Sequence, residues 1–150
     1  MPTTENEPKC FARIQDKRIL DWNLEAFAQN EIYDICFIGG YLIERVREAY
    51  PQFTFRQNHD WENNNILASL MYAEDLMNVP FICCYSDTLY SANLIAGLAA
   101  SEHDITLSVD TGWRARYENR TEHPAGDAEK VTSENGVVTR VHREIDLASA

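Results

Sequence analysis

Short strand-like runs alternate with segments of helical periodicity along most of this chain of 150 residues. The run 80–86 shows no polar alternation, which is typical of a parallel strand buried on both faces. Strands that alternate with helices build a mostly parallel sheet with helices on both faces, so the sequence predicts an α/β fold. The strand-like runs lie at residues 33–40, 53–58, 80–86 and 104–110, and the helical segments at 19–30, 41–50, 63–78 and behind Asp87.

The chain changes character after Asp110, where a polar and aromatic stretch contains the turn formers Pro124 and Gly126. The next segment, EKVTSENGVVTRVHR, carries Asn135-Gly136 between two strand-like runs. This dipeptide is the strongest short-range signal for a β-hairpin. We find no internal repeat, low-complexity segment or linker in the sequence. A chain of this length without such a boundary predicts one domain over residues 1–150.

The net charge of the chain is −11, so the sequence lacks the basic surface that nucleic-acid binding requires. No stretch approaches the roughly 20 apolar residues of a membrane span, and no charged start precedes a long apolar run. The four cysteines, at positions 10, 36, 83 and 84, show neither CxxC spacing nor a His-Cys cluster, and we interpret them as reduced core residues. We therefore expect a soluble, cytoplasmic protein that binds neither nucleic acid nor a membrane.

Two of the predicted strands end on a carboxylate, Asp87 and Asp110. Ligands of open α/β sheets bind outside the carboxyl ends of the strands, so both aspartates fall where a site is expected. Mg²⁺ takes hard oxygen ligands, usually one or two carboxylates together with substrate phosphates. The structural alternative is that Ser86 or Asp87 caps the following helix. The two aspartates together favour a functional site with Mg²⁺ as the cofactor.

A group of amides precedes the third predicted helix. Amides and hydroxyls both donate and accept hydrogen bonds, as the recognition of a base or a ribose requires. Helix capping by Asn64 or Asn65 is an equally good interpretation of the same residues. The amides are Asn58, Asn63, Asn64 and Asn65, and the hydroxyl of Ser69 follows them within the helix.

Three further side chains have properties that suit a charged ligand. Lys9 is a flexible cation beside the restrained Pro8 and suits phosphate, although a solvated surface lysine is the simpler interpretation. Trp113 and Tyr117 lie four residues apart, which places them on one helical face or forms an aromatic wall for a cationic ligand. Core packing is the more common role of such a pair.

Six blocks occur in order along nearly the whole chain: TENEPKCFARIQDKRILDWNLEAF, ICFIGGY, NHDWENNNILASLMYAEDL, YSDTLY, SVDTGWRARYENR and DAEKV. In this order they resemble the nucleotidyltransferases that activate sugar phosphates or phosphocholine, especially the phosphocholine cytidylyltransferase-like branch. The resemblance implies a three-layer α/β/α nucleotide-binding fold. It also implies that a nucleotidyl group passes from a nucleoside triphosphate, with CTP favoured, to phosphocholine or a sugar phosphate. Pyrophosphate is released, and Mg²⁺ bridges the phosphates.

By position, the resemblance also assigns roles to residues of this chain. Lys9 contacts the phosphates and Asp87 holds Mg²⁺, a pair that suits chemistry based on positioning and charge neutralisation without a covalent nucleophile. The residues expected near the nucleotide are Lys9, Asn58, Asn65 and Ser69, and those expected at the acceptor site are Asp110, Trp113 and Tyr117.

Members of this family begin with an apolar strand and a loop containing glycine and arginine, and they continue beyond the segment that matches VHREIDLASA. We therefore expect a truncated fold, incomplete at both ends, and the alternative to an enzyme is a non-catalytic nucleotide-binding or assembly module. The family's first strand lies centrally in its sheet. We expect residues 33–38 and 80–86 to pair directly across the gap, or the stretch VVTRVHREI or a partner chain to fill it, because unpaired buried backbone groups are costly. Formation of a homo-oligomer is one observable sign that we expect from such a filled gap.

Overall fold

The computed structural model describes residues 6–118 and 124–146 of the chain. The chain divides into two compact units, Met1–Thr106 and Leu107–Ala150. Helices and strands occur in both units, so the predicted α/β class is confirmed. Residues 4, 5, 119 and 120, which belong to the blocks quoted above, lie outside the described residues. The number of domains stays a prediction.

Among its described residues, the first unit contains two strand pairs. β1 (Arg13–Ile14) and β2 (Lys17–Arg18) form a short antiparallel hairpin, and β3 (Cys36–Gly39) pairs in parallel with β4 (Thr54–Gln57). The order β3, α2, β4 confirms the predicted strand-helix-strand unit. The helices are α1 (Ile19–Ala28), α2 (Ile43–Ala49), α3 (Ile66–Met71) and α4 (Ala92–Ala99), with 3-10 turns at Lys9–Phe11 and Glu74–Leu76.

The apolar face of α1 packs into two cores of the first unit. In one core Leu20 of α1 packs against the 3-10 turn Lys9–Phe11 and against α2. In the other core Ala26 and Phe27 of α1 pack against Ile95 of α4. Ile95 is fully buried, and the burial of such a side chain contributes about 1.5–3 kcal/mol. These contacts fix α1 against α4. The first core consists of Cys10, Phe11, Leu20, Val46, Tyr50 and Phe53.

The second unit contains the predicted hairpin. α5 (Trp113–Tyr117) and a 3-10 turn (Ala125–Asp127) precede the antiparallel strands β5 (Lys130–Glu134) and β6 (Val137–His142). Asn135 has a φ of 52° and Gly136 a φ of 80°. A two-residue turn with positive φ at both positions matches the right-handed twist of the strands, and this is why Asn-Gly is favoured there. The hairpin prediction is confirmed.

The predicted strands at 80–86 and 104–110 are wrong, because neither segment pairs with a strand among the described residues. Phe81 is 53% exposed and Ile105 is 83% exposed, so the two segments also lack the predicted burial. Apolar composition favours burial but supplies no hydrogen-bond partner for the backbone, and a parallel strand needs a neighbouring strand. The described strands form one parallel and two antiparallel pairs, and the three-layer, mostly parallel sheet stays a prediction.

The direct pairing expected between residues 33–38 and 80–86 is also wrong. Among the described residues β3 pairs with β4 alone, and residues 137–142 pair with β5. The insertion of a partner chain stays a prediction.

Two smaller expectations also change. The helix predicted over 63–78 is shorter, because Asn65 caps α3 and a separate 3-10 turn follows at Glu74–Leu76. All four cysteines are free, but Cys83 and Cys84 are exposed and are therefore not core residues. In residues 6–118 and 124–146, no helix has the length and apolar character that a membrane crossing requires.

Candidate functional site

Asp87 lies in a loop, residues 85–90, directly before α4. Ser91 caps this helix, since its hydroxyl accepts a hydrogen bond from the Leu94 N–H at 3.3 Å. The capping alternative for Ser86 or Asp87 is therefore wrong. Asp87 is exposed, and within the described ranges its carboxylate makes no hydrogen bond and no ion pair. This carboxylate is available to a ligand.

Hydrogen bonds at both ends hold the loop that carries Asp87. Asn23 of α1 donates through Nδ2 to the Thr88 carbonyl at 2.7 Å, and the Tyr90 N–H donates to Asn23 Oδ1 at 3.1 Å. The Tyr85 N–H donates to the Tyr90 hydroxyl at 3.0 Å and closes the base of the loop. Burial raises the pKa of Tyr90, so its phenol stays neutral at physiological pH. The position of Asp87 is thus set by α1 and by the loop's own side chains.

Lys9 lies in a segment that contacts the same loop. The neighbouring Cys10 is 2% exposed, and its thiol lies close to the Ser86 side chain. Burial raises the pKa of Cys10 to about 11, so this thiol is neutral at physiological pH. Lys9 itself is exposed. The structure therefore brings the segment of Lys9 next to the loop of Asp87, as a shared site requires.

The predicted amides form a second group at the carboxyl end of β4. Asn58 is 1% exposed, and its Nδ2 donates to Asn64 Oδ1 at 2.9 Å and to Ser69 Oγ at 2.7 Å. Its Oδ1 accepts from Asn64 Nδ2 and from the Asp60 N–H, both at 3.0 Å. These four bonds use the full capacity of the amide, so in this structure Asn58 organises its neighbours.

Asn65 occupies the position next to this group. Its Oδ1 accepts a hydrogen bond from the Ala68 N–H at 2.9 Å, which confirms helix capping as one role of this residue. The structure brings Asn58 and Ser69 into direct contact and places Asn65 at the start of the helix that carries Ser69. Whether these residues bind a nucleotide stays a prediction.

Trp61 lies in the loop between β4 and α3, and the sequence alone did not identify it as a site residue. Its indole packs on Gly40, where a Cβ atom would lie 2.3 Å from the ring. Tyr41 lies beside it, with 5.4 Å between the ring centroids. Only glycine permits this contact at position 40, and the two adjacent glycines that end the predicted strand 33–40 were the available signal in the sequence.

The predicted acceptor residues lie in the second unit. Asp110 accepts hydrogen bonds from Arg116 Nε at 2.6 Å and from the Gly112 N–H at 2.9 Å. The Arg116 guanidinium holds the pKa of Asp110 below its usual range, so the carboxylate stays ionised. Trp113 and Tyr117 lie on one face of α5 in an edge-to-face pair, with centroids 5.7 Å apart. Both rings are half-buried, so they have surface left for a ligand.

The donor chemistry of these residues limits the kind of metal site that is possible. No group of three or more histidine, cysteine or acidic side chains that could hold a metal ion occurs in the part of the chain that the structure describes. Mg²⁺ needs no such cage, because it is commonly bound by one carboxylate and the phosphates of its nucleotide. The exposed Asp87 fits this mode of binding.

Sequence reasoning missed three residues that shape the site: Asn23, Cys10 and Tyr90. Asn23 is 1% exposed on the buried face of α1, between Leu20 and Phe27. An amide at a position where the helical period calls for an apolar residue was the available signal. Cys10 and Tyr90 gave no comparable signal, since their contacts depend on the fold.

No family model matches the chain. It is 24% identical over 153 residues to CTP:phosphoglutamine cytidylyltransferase of Campylobacter jejuni, an alignment that covers 96% of this chain and 60% of the relative. It is also 29% identical over 80 residues to choline-phosphate cytidylyltransferase of Streptococcus pneumoniae, which covers 51% of this chain and 35% of that relative. The chain therefore spans less than two thirds of the length of both relatives. These two similarities confirm the predicted resemblance to the cytidylyltransferase-like nucleotidyltransferases.

Proposed function

We propose that this chain transfers a cytidylyl group from CTP to the phosphate of a small molecule. An oxygen of the acceptor phosphate attacks the α-phosphorus of CTP, a new phosphorus–oxygen bond forms, and the bond to pyrophosphate breaks as pyrophosphate leaves. The observation that carries the proposal is the similarity, over 96% of the chain, to a protein named for cytidylyl transfer from CTP.

The surroundings of Asp87 support this chemistry. The reaction needs charge neutralisation and positioning and does not need a covalent nucleophile. Lys9 and Asp87 are both exposed and lie in contacting segments, whereas the nearby Cys10 thiol is buried and neutral. The site thus offers a cation for phosphate and a carboxylate for a metal.

Each predicted residue has a role in the proposed reaction. When bound, Mg²⁺ supplies positive charge that offsets the negative charge of the phosphates, and Asp87 would hold it. Lys9 would bind a phosphate oxygen, while Asn65 and Ser69 would face the nucleotide and Asn58 would hold Ser69 in place. In the second unit Asp110, Trp113 and Tyr117 would bind the acceptor, which we take to be phosphocholine, a sugar phosphate or phosphoglutamine.

Pyrophosphate release tests the proposal. The full chain is incubated with Mg²⁺ and each of CTP, UTP, ATP and GTP, together with one of the three acceptors or none. We expect release that needs CTP, Mg²⁺ and one acceptor. Asp87→Ala should abolish it, whereas Asp34→Ala, which removes another exposed carboxylate, should not. Binding of CTP without pyrophosphate release for any acceptor would contradict an enzyme and support a nucleotide-binding module.

A further inference from the structure

Asn23 is a buried amide in an otherwise apolar face of α1. It lies three residues after Leu20 and four before Phe27, both of which are buried, and is itself 1% exposed. A buried amide costs free energy unless its hydrogen bonds are satisfied, so an apolar side chain would serve packing better at this position. Something other than packing therefore accounts for an asparagine here.

The hydrogen bonds of Asn23 reach a distant part of the chain. Its Nδ2 donates to the Thr88 carbonyl at 2.7 Å, and its Oδ1 accepts from the Tyr90 N–H at 3.1 Å. Asn23 thus bonds one carbonyl and one N–H of the main chain directly after Asp87, as the backbone of a neighbouring strand would. The Tyr90 hydroxyl, which accepts from the Tyr85 N–H, closes the other side of the loop. Asn23 thus anchors the loop to the most buried face of α1.

We infer that Asn23 is a positioning residue, which fixes the loop so that the Asp87 carboxylate faces a metal-bound nucleotide. This inference rests on the proposed function. Asp87 has no partner of its own among the described residues, so the direction of its carboxylate depends on the backbone that carries it. If the Asn23 bonds are lost, the Asp87 carboxylate is still present, but the backbone that orients it is no longer held.

Asn30, two residues after the end of α1, provides a matched control. Its Nδ2 donates to the Ala26 carbonyl at 2.9 Å and to the Ala92 carbonyl at 3.0 Å. It therefore ties the end of α1 to α4 through the same kind of bond, and both of these bonds lie outside the Asp87 loop, residues 85–90. Asn23→Ala and Asn30→Ala each remove two side-chain hydrogen bonds, and only the first removes those that reach Thr88 and Tyr90.

The experiment has two measurements on the full chain. The first is hydrogen exchange at the Tyr90 amide without ligand. The second is the affinity for CTP by calorimetry, with Mg²⁺ and with EDTA. For Asn23→Ala we expect faster exchange at Tyr90 and a loss of roughly 10–100-fold in the affinity gained from Mg²⁺, the range known for residues that orient metal ligands. CTP binding in EDTA should stay as in the wild type, because only the metal contact depends on Asp87.

For Asn30→Ala we expect neither change. Equal losses of CTP affinity with Mg²⁺ and with EDTA would show a general structural effect and overturn the inference, as would unchanged exchange at Tyr90. If Asn23→Ala does not fold, Asn23→Ser, whose shorter side chain cannot span both partners, is judged by the same criteria. A wild-type chain that binds no CTP would overturn the proposed function, and the exchange data alone would then show whether Asn23 fixes the loop.

Discussion

The buried amide of Asn58 gives the sharpest stability prediction for this protein. Asn58→Ala removes four hydrogen bonds. Asn64 is half-buried and the Asp60 N–H lies in an exposed loop, so water can replace the two bonds that they donate to Asn58 Oδ1. The two bonds that Asn58 Nδ2 donates, to Ser69 Oγ and to Asn64 Oδ1, have no substitute inside the cluster. At about 0.5–1.5 kcal/mol for each of these two bonds, we expect a loss of about 1–3 kcal/mol.

Urea denaturation measures this loss, because the midpoint falls while the slope of the transition stays the same. Asn63→Ala is the matched control, since Asn63 is exposed and makes one surface bond to Asp60 Oδ1 at 2.8 Å. We expect the control to change stability by less than about 0.5 kcal/mol. The double variant with Ser69→Ala should cost less than the sum of the two single variants, because they share a bond.

Equal midpoints for Asn58→Ala and Asn63→Ala would refute the argument that this cluster is a structural network. A large loss of CTP affinity with no loss of stability would instead identify Asn58 as a direct ligand. The structure leads us to expect that Asn58→Ala lowers the free energy of unfolding.

Three further predictions concern the rest of the molecule. Asp87→Ala should abolish the Mg²⁺-dependent binding of nucleotide in calorimetry and change stability by less than about 0.5 kcal/mol, because the side chain is exposed and unpaired among the described residues. If the acceptor is choline-like, phosphocholine should change the tryptophan fluorescence of the wild type but not of Trp113→Ala, through a contact worth about 0.5–2 kcal/mol. Burial raises the pKa of Cys10 to about 11, whereas the thiol of the unfolded chain ionises near pH 9. The stability that the buried neutral thiol contributes is therefore present below about pH 9 and is lost as the pH rises through about 11.

Each of these predictions has a contradicting result. For Asp87→Ala it is an affinity that still increases with Mg²⁺. For Trp113 it is the same fluorescence change in Trp113→Ala, with Trp22→Phe as the control. For Cys10 it is a urea midpoint that falls as steeply between pH 9 and 11 in Cys10→Ala as in the wild type.

The elements that the sequence predicted correctly are those that local interactions specify. The hairpin around Asn135-Gly136 needs only two residues that accept positive φ and strands on either side. The β3-α2-β4 unit connects neighbouring strands through one amphipathic helix, so its pairing follows from short connections. In both cases the partner of each strand lies close by in the chain.

The strands that were predicted wrongly depend on a partner elsewhere. Residues 80–86 have the apolar composition of a buried strand, but composition does not say whether a neighbouring strand is present to pair with them. In the described structure that neighbour is absent, and Phe81 and Tyr85 are exposed. The same reasoning applies to 104–110. Hydrophobic pattern therefore identified segments that are able to form strands, and pairing decided which of them did.

The candidate site was predictable in its residue types but not in its connections. Lys9 and Asp87 are 78 positions apart, as the numbering shows, and only the fold reveals that Cys10 and Ser86 bring their segments together. Asn23 is different, because its sequence position already conflicts with the apolar period of α1. A helix tolerates an amide on its buried face when another part of the molecule satisfies its hydrogen bonds. Here backbone groups of the Asp87 loop satisfy the amide of Asn23. The polar residue on the buried face of α1 therefore identifies α1 as the helix that anchors the loop carrying the predicted metal ligand.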